Sequence, residues 1–142
     1  MAVPQTAVSG TGVISMTSNS MPKKVIRTER GWAGHFICAN RCLFRRNTLL
    51  QCGTTFIVVS TVGAMRDMDN EIEEIGYHRY YETMAFHSDR KDKRYHDMDV
   101  KREIRFDSPR AVQKVDADDK ANDMHETVVK EITESLLEGK IE

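Results

Sequence analysis

A chain of 142 residues has room for one domain with a real core and too little for two. With 21 Lys and Arg against 22 Asp and Glu the net charge is -1, so no global excess of positive charge argues for a nucleic-acid partner. The longest apolar run, Phe56 to Val59, falls far short of the roughly 20 residues that cross a bilayer. The N-terminus lacks a basic segment followed by an apolar core, and three cysteines suggest no disulfide framework. The expectation is a protein of a reducing cytoplasm with no membrane partner.

Residues 1–22 are rich in Ser, Thr and Gly with scattered Val and Ile, too little apolar surface to offset the entropy of ordering. A flexible tail is expected there, or an arm that orders in an oligomer. Residues 23–142 then form a single α+β domain, with a sheet over 23–107 and a helix over 117–139.

Short β-type runs begin at Lys23. Residues 23–28 are one expected strand and residues 35–38 a second. Residues 44–51 and 54–62 are the third and fourth, joined through Cys52 and Gly53 as a hairpin. Residues 63–77, with two glycines and many acids, suit a loop. Residues 79–87 alternate, with Tyr80, Glu82, Met84 and Phe86 on one face and Arg79, Tyr81, Thr83, Ala85 and His87 on the other. A charged loop over 88–99 leads to a half-buried strand over 100–106, where Val100, Arg102, Ile104 and Phe106 share a face.

The last element reads as a helix, because Ala121, Met124, His125, Val128, Ile132 and Leu136 recur at three- and four-residue spacing. Asp116 or Asp118 can cap its start and Gly139 can end it. His125, within the apolar stripe, reads as satisfied packing or an interface contact rather than a ligand. The fold class is α+β: an antiparallel sheet of about five strands with a C-terminal amphipathic helix. Any apolar surface the sheet leaves uncovered would make a symmetric homo-oligomer.

Charge is unevenly placed. Between Lys23 and Cys52 there are seven Lys and Arg against one acid, Glu29, whereas from Asp107 to the end ten acids face five bases. An acidic end repels phosphates, which disfavours nucleic acid as the partner.

The stretch GWAGHFICANRCLFRRN concentrates the candidate chemistry. His35, Cys38, Cys42 and Cys52 give H-x2-C-x3-C-x9-C, yet structural zinc sites come as close pairs on tight knuckles and Cys52 lies at a hairpin tip. No metal and no cofactor are assigned. Glycine-rich phosphate loops and the motifs of common reactions are absent, so no catalytic residue is assigned and no enzyme is expected. Arg45 and Arg46 are adjacent, so on a strand they point to opposite faces and one must be paired or at an interface. Guanidinium forks suit phosphate, and flat rings suit a base. The candidate ligand-binding residues are Trp32, Arg45, Arg46, Asn47, Arg79, Tyr81, Phe86, Arg102 and Arg105.

The stretches ERGWAGHFICANRCLFRRNTLL, VVSTVGAM and RYYETMAFH, followed by the helix, resemble small phage-encoded anti-defence proteins. By general layout over residues 24 to 138 the chain is similar to the Thoeris anti-defence proteins, signal sponges that sequester cyclic ADP-ribose isomers. The resemblance implies a non-enzymatic homo-oligomer in the host cell cytoplasm. It would bind a small signalling nucleotide, a cyclic ADP-ribose isomer or cyclic oligonucleotide, at a subunit interface. The terminal helix departs from that pattern, with no arginine after Ala111 to clamp a phosphate. Two other readings stand beside it: an inhibitor that binds a host defence protein through the acidic helix and the 66–75 loop, and a nucleic-acid binder with a basic sheet.

Overall fold

The computed structural model describes residues 23–30, 35, 39–88 and 98–141. Its elements in chain order are β1 (Ile26–Glu29), a 3-10 turn (Ala39–Arg41), β2 (Cys42–Cys52), β3 (Thr55–Arg66), β4 (Ile72–Glu73), β5 (Tyr81–Ser88), β6 (Met98–Ile104), β7 (Ala111–Val112) and α1 (Asp118–Leu137). The strands make one seven-stranded sheet in the order β1-β2-β3-β5-β6, with β4 added to β3 and β7 to β5. Every pairing is antiparallel. The chain is therefore α+β, as expected.

The centre of the sheet is the β2–β3 hairpin, whose last pair is Cys52 with Thr55. Its two-residue connection starts at Gly53, with φ +61, the positive value that a type II′ turn requires at its first central residue. The second strand of this hairpin is longer than expected and runs through Arg66 into residues expected to be a loop. The acids begin only at Asp67, and the preceding Ala64 and Met65 are buried. Met65 pairs with Cys42 on one side and Glu73 on the other, so sheet pairing claims residues that local composition assigned to a loop. The 100–106 strand appears at Met98–Ile104 and is mostly exposed rather than half-buried. The expected strand at 35–38 lies outside the described residues apart from His35.

Period-2 alternation divides the sheet into two faces. One carries Phe44, Arg46, Thr48 and Leu50 of β2, Ile57, Val59 and Thr61 of β3, and Tyr81, Thr83 and Ala85 of β5, aligned by register. Onto it packs α1, through Ala121, Met124, His125, Val128, Val129, Ile132 and Leu136. Leu50, Ile57, Val59 and Ala85 meet Val128, Val129, Ile132 and Leu136 in one apolar cluster. Burial of each Leu, Ile or Val side chain among these contributes about 1.5–3 kcal/mol. A second cluster around Phe44, Ala64 and Tyr81 takes Ala117, Ala121 and Met124.

The helix ends as its sequence suggests but does not start that way. Gly139 has φ +72, and the Gly139 and Lys140 amides return to the Leu136 and Ser135 carbonyls at 3.2 and 2.9 Å, closing the last turn in Schellman fashion. At the start, Ala117 occupies the cap position and no side chain of the cap bonds the helix. The sheet supplies the partner instead: Tyr81 Oη accepts from the Ala117 amide at 3.0 Å and donates to Asp118 Oδ1 at 2.7 Å.

Candidate ligand-binding face

The second face of the sheet carries Arg45, Asn47 and Leu49 of β2, Val58, Ser60 and Val62 of β3, and Glu82, Met84 and Phe86 of β5. Asn47 lies opposite Ser60 and Ser60 opposite Met84, while Arg45, Val62 and Glu82 make the adjoining row. Most of this face is buried, polar groups included: Asn47 and Ser60 are 0% exposed and Glu82 is 9% exposed.

His35 stands over these rows. Its Nδ1 is 3.0 Å from Ser60 Oγ and its Nε2 is 3.2 Å from Glu82 Oε1. Its ring lies 6.0 Å from that of Phe86, tilted by 46°. Arg79 reaches the other oxygen of Glu82 at 3.4 Å. The His35 hydrogen bond, outweighing burial and aided by the charges of His35, Arg79 and Arg110, holds the Glu82 carboxyl below its usual range. A carboxylate thus anchors a histidine and an arginine on a largely buried face of mixed polarity.

Beside them Asn47 is anomalous. Its side chain is wholly buried, and neither Oδ1 nor Nδ2 has a hydrogen-bond partner. An unsatisfied buried polar group costs about 1–3 kcal/mol, and a carboxamide has two donor hydrogens and an acceptor to satisfy. Such a cost is tolerated where a ligand supplies the missing partners.

The expected binding residues fall into separate groups. Arg45, Asn47 and Phe86 share this face, and Arg79 joins it through Glu82. Arg46 and Tyr81 are engaged on the opposite face, within the fold. Arg46 bonds Glu29 and Glu126 at 2.8 Å each, and Arg27 bonds the same two carboxylates at 2.8 and 2.6 Å, closing a ring of two arginines and two glutamates between β1, β2 and α1. Within it the hydrogen bond from Arg27, ahead of the opposing burial, draws the Glu126 carboxyl down to about 2. Tyr81 is buried, stacks edge-on against Phe44 with ring centroids 5.8 Å apart, and holds the helix start. Its phenol is pushed up to about 12 by burial and by its bond to Asp118. Arg102 and Arg105 are exposed, on β6 and just beyond it. Trp32 lies outside the described residues.

Ser60 and Glu82 are absent from the sequence-based set, and His35 enters it only as a metal ligand. The signal that could have found Glu82 is a lone acid at an inward position of an otherwise apolar alternation. Cys42 and Cys52 open and close one strand, about 33 Å apart at 3.3 Å per residue, so they cannot ligate the same ion. Among the described residues no three His, Cys, Asp or Glu side chains gather as a metal site, and no helix is long and apolar enough to cross a membrane. No protein-family model, no curated protein and no solved structure matches this chain.

Proposed function

We propose that this protein binds a small nucleotide-like anion on the sheet face that carries Asn47 and holds it without turnover, as a signal-sequestering protein does. The observation that carries the reading is the wholly buried Asn47 carboxamide with no partner at either end. A carboxamide offers a donor and an acceptor side by side, the complement of an adenine edge. Phe86 and His35 supply flat surfaces beside it, and Arg45 and Arg79 supply forks for phosphate. All of these groups come from one chain, so the reading does not require a subunit interface.

Ser60, His35 and Glu82 bear a superficial likeness to a nucleophile, base and acid. Ser60 lies in mid-strand, with sheet partners on both sides. Its backbone is committed to the ladder and cannot supply the oxyanion donors that acyl transfer needs. The carboxylate instead fixes the histidine in place.

A second reading, capture of a host defence protein, is favoured by Met68 and Tyr77, 101% and 85% exposed on an acidic loop. One experiment separates the two. The purified chain is incubated with cyclic ADP-ribose isomers and cyclic oligonucleotides, washed, then heated to release its ligand. Unaltered nucleotide retained by the native chain and lost by Asn47→Leu is the result expected for a sponge. Altered nucleotide would mean an enzyme, and retention that survives Asn47→Leu would displace the site. No retention would leave the loop as the functional surface.

A further inference from the structure

At the turn end of the β2–β3 hairpin, the residues before β1 and the residues after α1 converge on a groove of about 760 Å³. That volume lies within the range of small-molecule sites, about 300–1,000 Å³. Ile26, Leu136 and Ile141 line it together with the Cys52 side of the hairpin, and Lys23 and Lys24 stand at its margin. It shares no lining residue with the Asn47 face.

Three features define what fits. Among the described residues the lining contains two lysines and no carboxylate, and neither lysine forms an ion pair, so this lining carries net positive charge. Lys23 Nζ stands 3.4 Å from where a side chain on Gly139 would begin, over the end of α1, whose last turn has no basic residue of its own. Among the described residues the lining also contains no aromatic ring, so a nucleobase would find none of them to stack on. Ile26, 50% exposed on a strand that is otherwise polar, leaves apolar surface open beside the two cations.

We infer that this groove binds a single-chain anionic amphiphile, a fatty carboxylate in the simplest case. Its aliphatic body lies along Ile26, Leu136 and Ile141, and its head group sits between Lys23 and Lys24. The apolar part contributes affinity in proportion to the area it buries, and the lysines select an anion over a neutral head. Cys52 lies in the wall, so its alkylation reports occupancy.

The full chain is titrated with dodecanoate by calorimetry, with dodecanol, ADP and phosphatidylglycerol vesicles as comparators, and iodoacetamide labelling at Cys52 is followed by peptide mass. Dodecanoate is expected to bind and to slow Cys52 labelling. The pair Lys23→Gln and Lys24→Gln, exposed changes that leave the core intact, is expected to weaken dodecanoate about fivefold or more while sparing dodecanol. Ile141→Ala is expected to weaken both. Equal affinity for alcohol and carboxylate, unchanged Cys52 labelling, binding to vesicles alone, or displacement of dodecanoate by ADP would each overturn the assignment. Loss of nucleotide retention in Asn47→Leu leaves it untouched, because the two sites have no residue in common.

Discussion

Thr61 Oγ1 lies 2.7 Å from Nδ1 of His125, and the sense of that hydrogen bond is fixed from the far side of the ring by Glu29. Burial pushes the Glu29 carboxyl up, but bonds from Arg46, Arg27 and Thr48 outweigh it and keep it below its usual range. An ionised carboxylate only accepts, so Thr48 donates to it, at 2.9 and 3.0 Å from its two oxygens. Thr48 has no second proton. It therefore accepts from His125 Nε2 at 2.7 Å, which leaves Nδ1 to accept from Thr61, and Thr61 to accept from Thr83 at 2.6 Å. The chain of bonds runs one way, from Thr83 to Glu29, and ties α1 to four strands.

That direction ranks two substitutions. Thr61→Val removes the donor to Nδ1 and leaves a buried nitrogen unpaired, a loss of about 1–3 kcal/mol. Thr83→Val removes only the terminal donor, and Thr61 still donates, so the loss is smaller. Urea unfolding measures both, and nitrogen-15 spectra of the ring should show the proton on Nε2. A proton on Nδ1, or Thr83→Val costing more than Thr61→Val, would reverse the direction.

The same histidine sets how stability responds to acid. Its side chain is wholly buried, and burial, with the Arg46 charge second, holds its pKa down at about 4 against an ordinary 6.5. The unfolded chain therefore takes up a proton that the folded chain refuses, so stability is fully present above pH 6.5 and falls as pH drops toward 4. Between pH 7 and 4.5 that group alone should remove about 2–3 kcal/mol. Glu126, drawn down to about 2, keeps its charge in the folded chain across this window. His125→Gln should flatten the decline over this range, and Arg46→Gln, which removes the second cause of the depression, should make it shallower. Unfolding curves for the three proteins that fall in parallel would sink this account.

Tyr81 performs at the helix start the task sequence rules give to Asp116 or Asp118. Its hydroxyl both accepts from the Ala117 amide and donates to Asp118, so Tyr81→Phe leaves one buried amide without a partner. The expected cost is about 1–2 kcal/mol by thermal or urea unfolding. Asp118→Ala should cost less, because the phenol still accepts from Ala117. Hydrogen exchange at the first turn of α1 should quicken in Tyr81→Phe, and unchanged exchange there would refute the capping role.

How far the fold was legible depends on the range of each signal. The stripe from Ala121 to Leu136 and the Gly53 hairpin are local patterns, and both elements are found where the pattern puts them. Arg45 and Arg46 were legible as a pair that must part, because alternation alone requires it. Which of them is internally paired was not, since the partners of Arg46 are Glu29 and Glu126, 17 residues before it and on the distant helix. Asn47 reads in sequence as one more polar residue after two arginines. Its burial follows from register, which places it between Arg30 and Ser60. His35, Ser60 and Glu82 are brought together across separations of 25 and 47 residues, which no window of sequence contains.

The adjacent residues Gly63 and Ala64 should respond unequally to exchanging hydrogen for methyl. Gly63 is paired with Tyr81, whose ring lies over it. A Cβ there would sit 2.2 Å from Tyr81 Cδ2 and 2.6 Å from the Tyr80 carbonyl oxygen. The ring is held by Asp118 and Ala117, and the carbonyl is bonded to the Ala64 amide at 3.0 Å, so neither yields cheaply. Overpacking of this kind costs about 1–3 kcal/mol or more. Ala64 has φ 54, a left-handed conformation that costs an alanine about 1–2 kcal/mol and a glycine almost nothing. In Ala64→Gly, relief of that strain offsets the lost buried methyl, about 0.8 kcal/mol, and the greater freedom of the unfolded chain, about 0.4–1 kcal/mol. Gly63→Ala should therefore be clearly destabilised, while Ala64→Gly stays within about 1 kcal/mol of the native protein. A melting series in which the two lose equal stability would mean that Ala64 carries no left-handed strain and that Tyr81 does not close over Gly63.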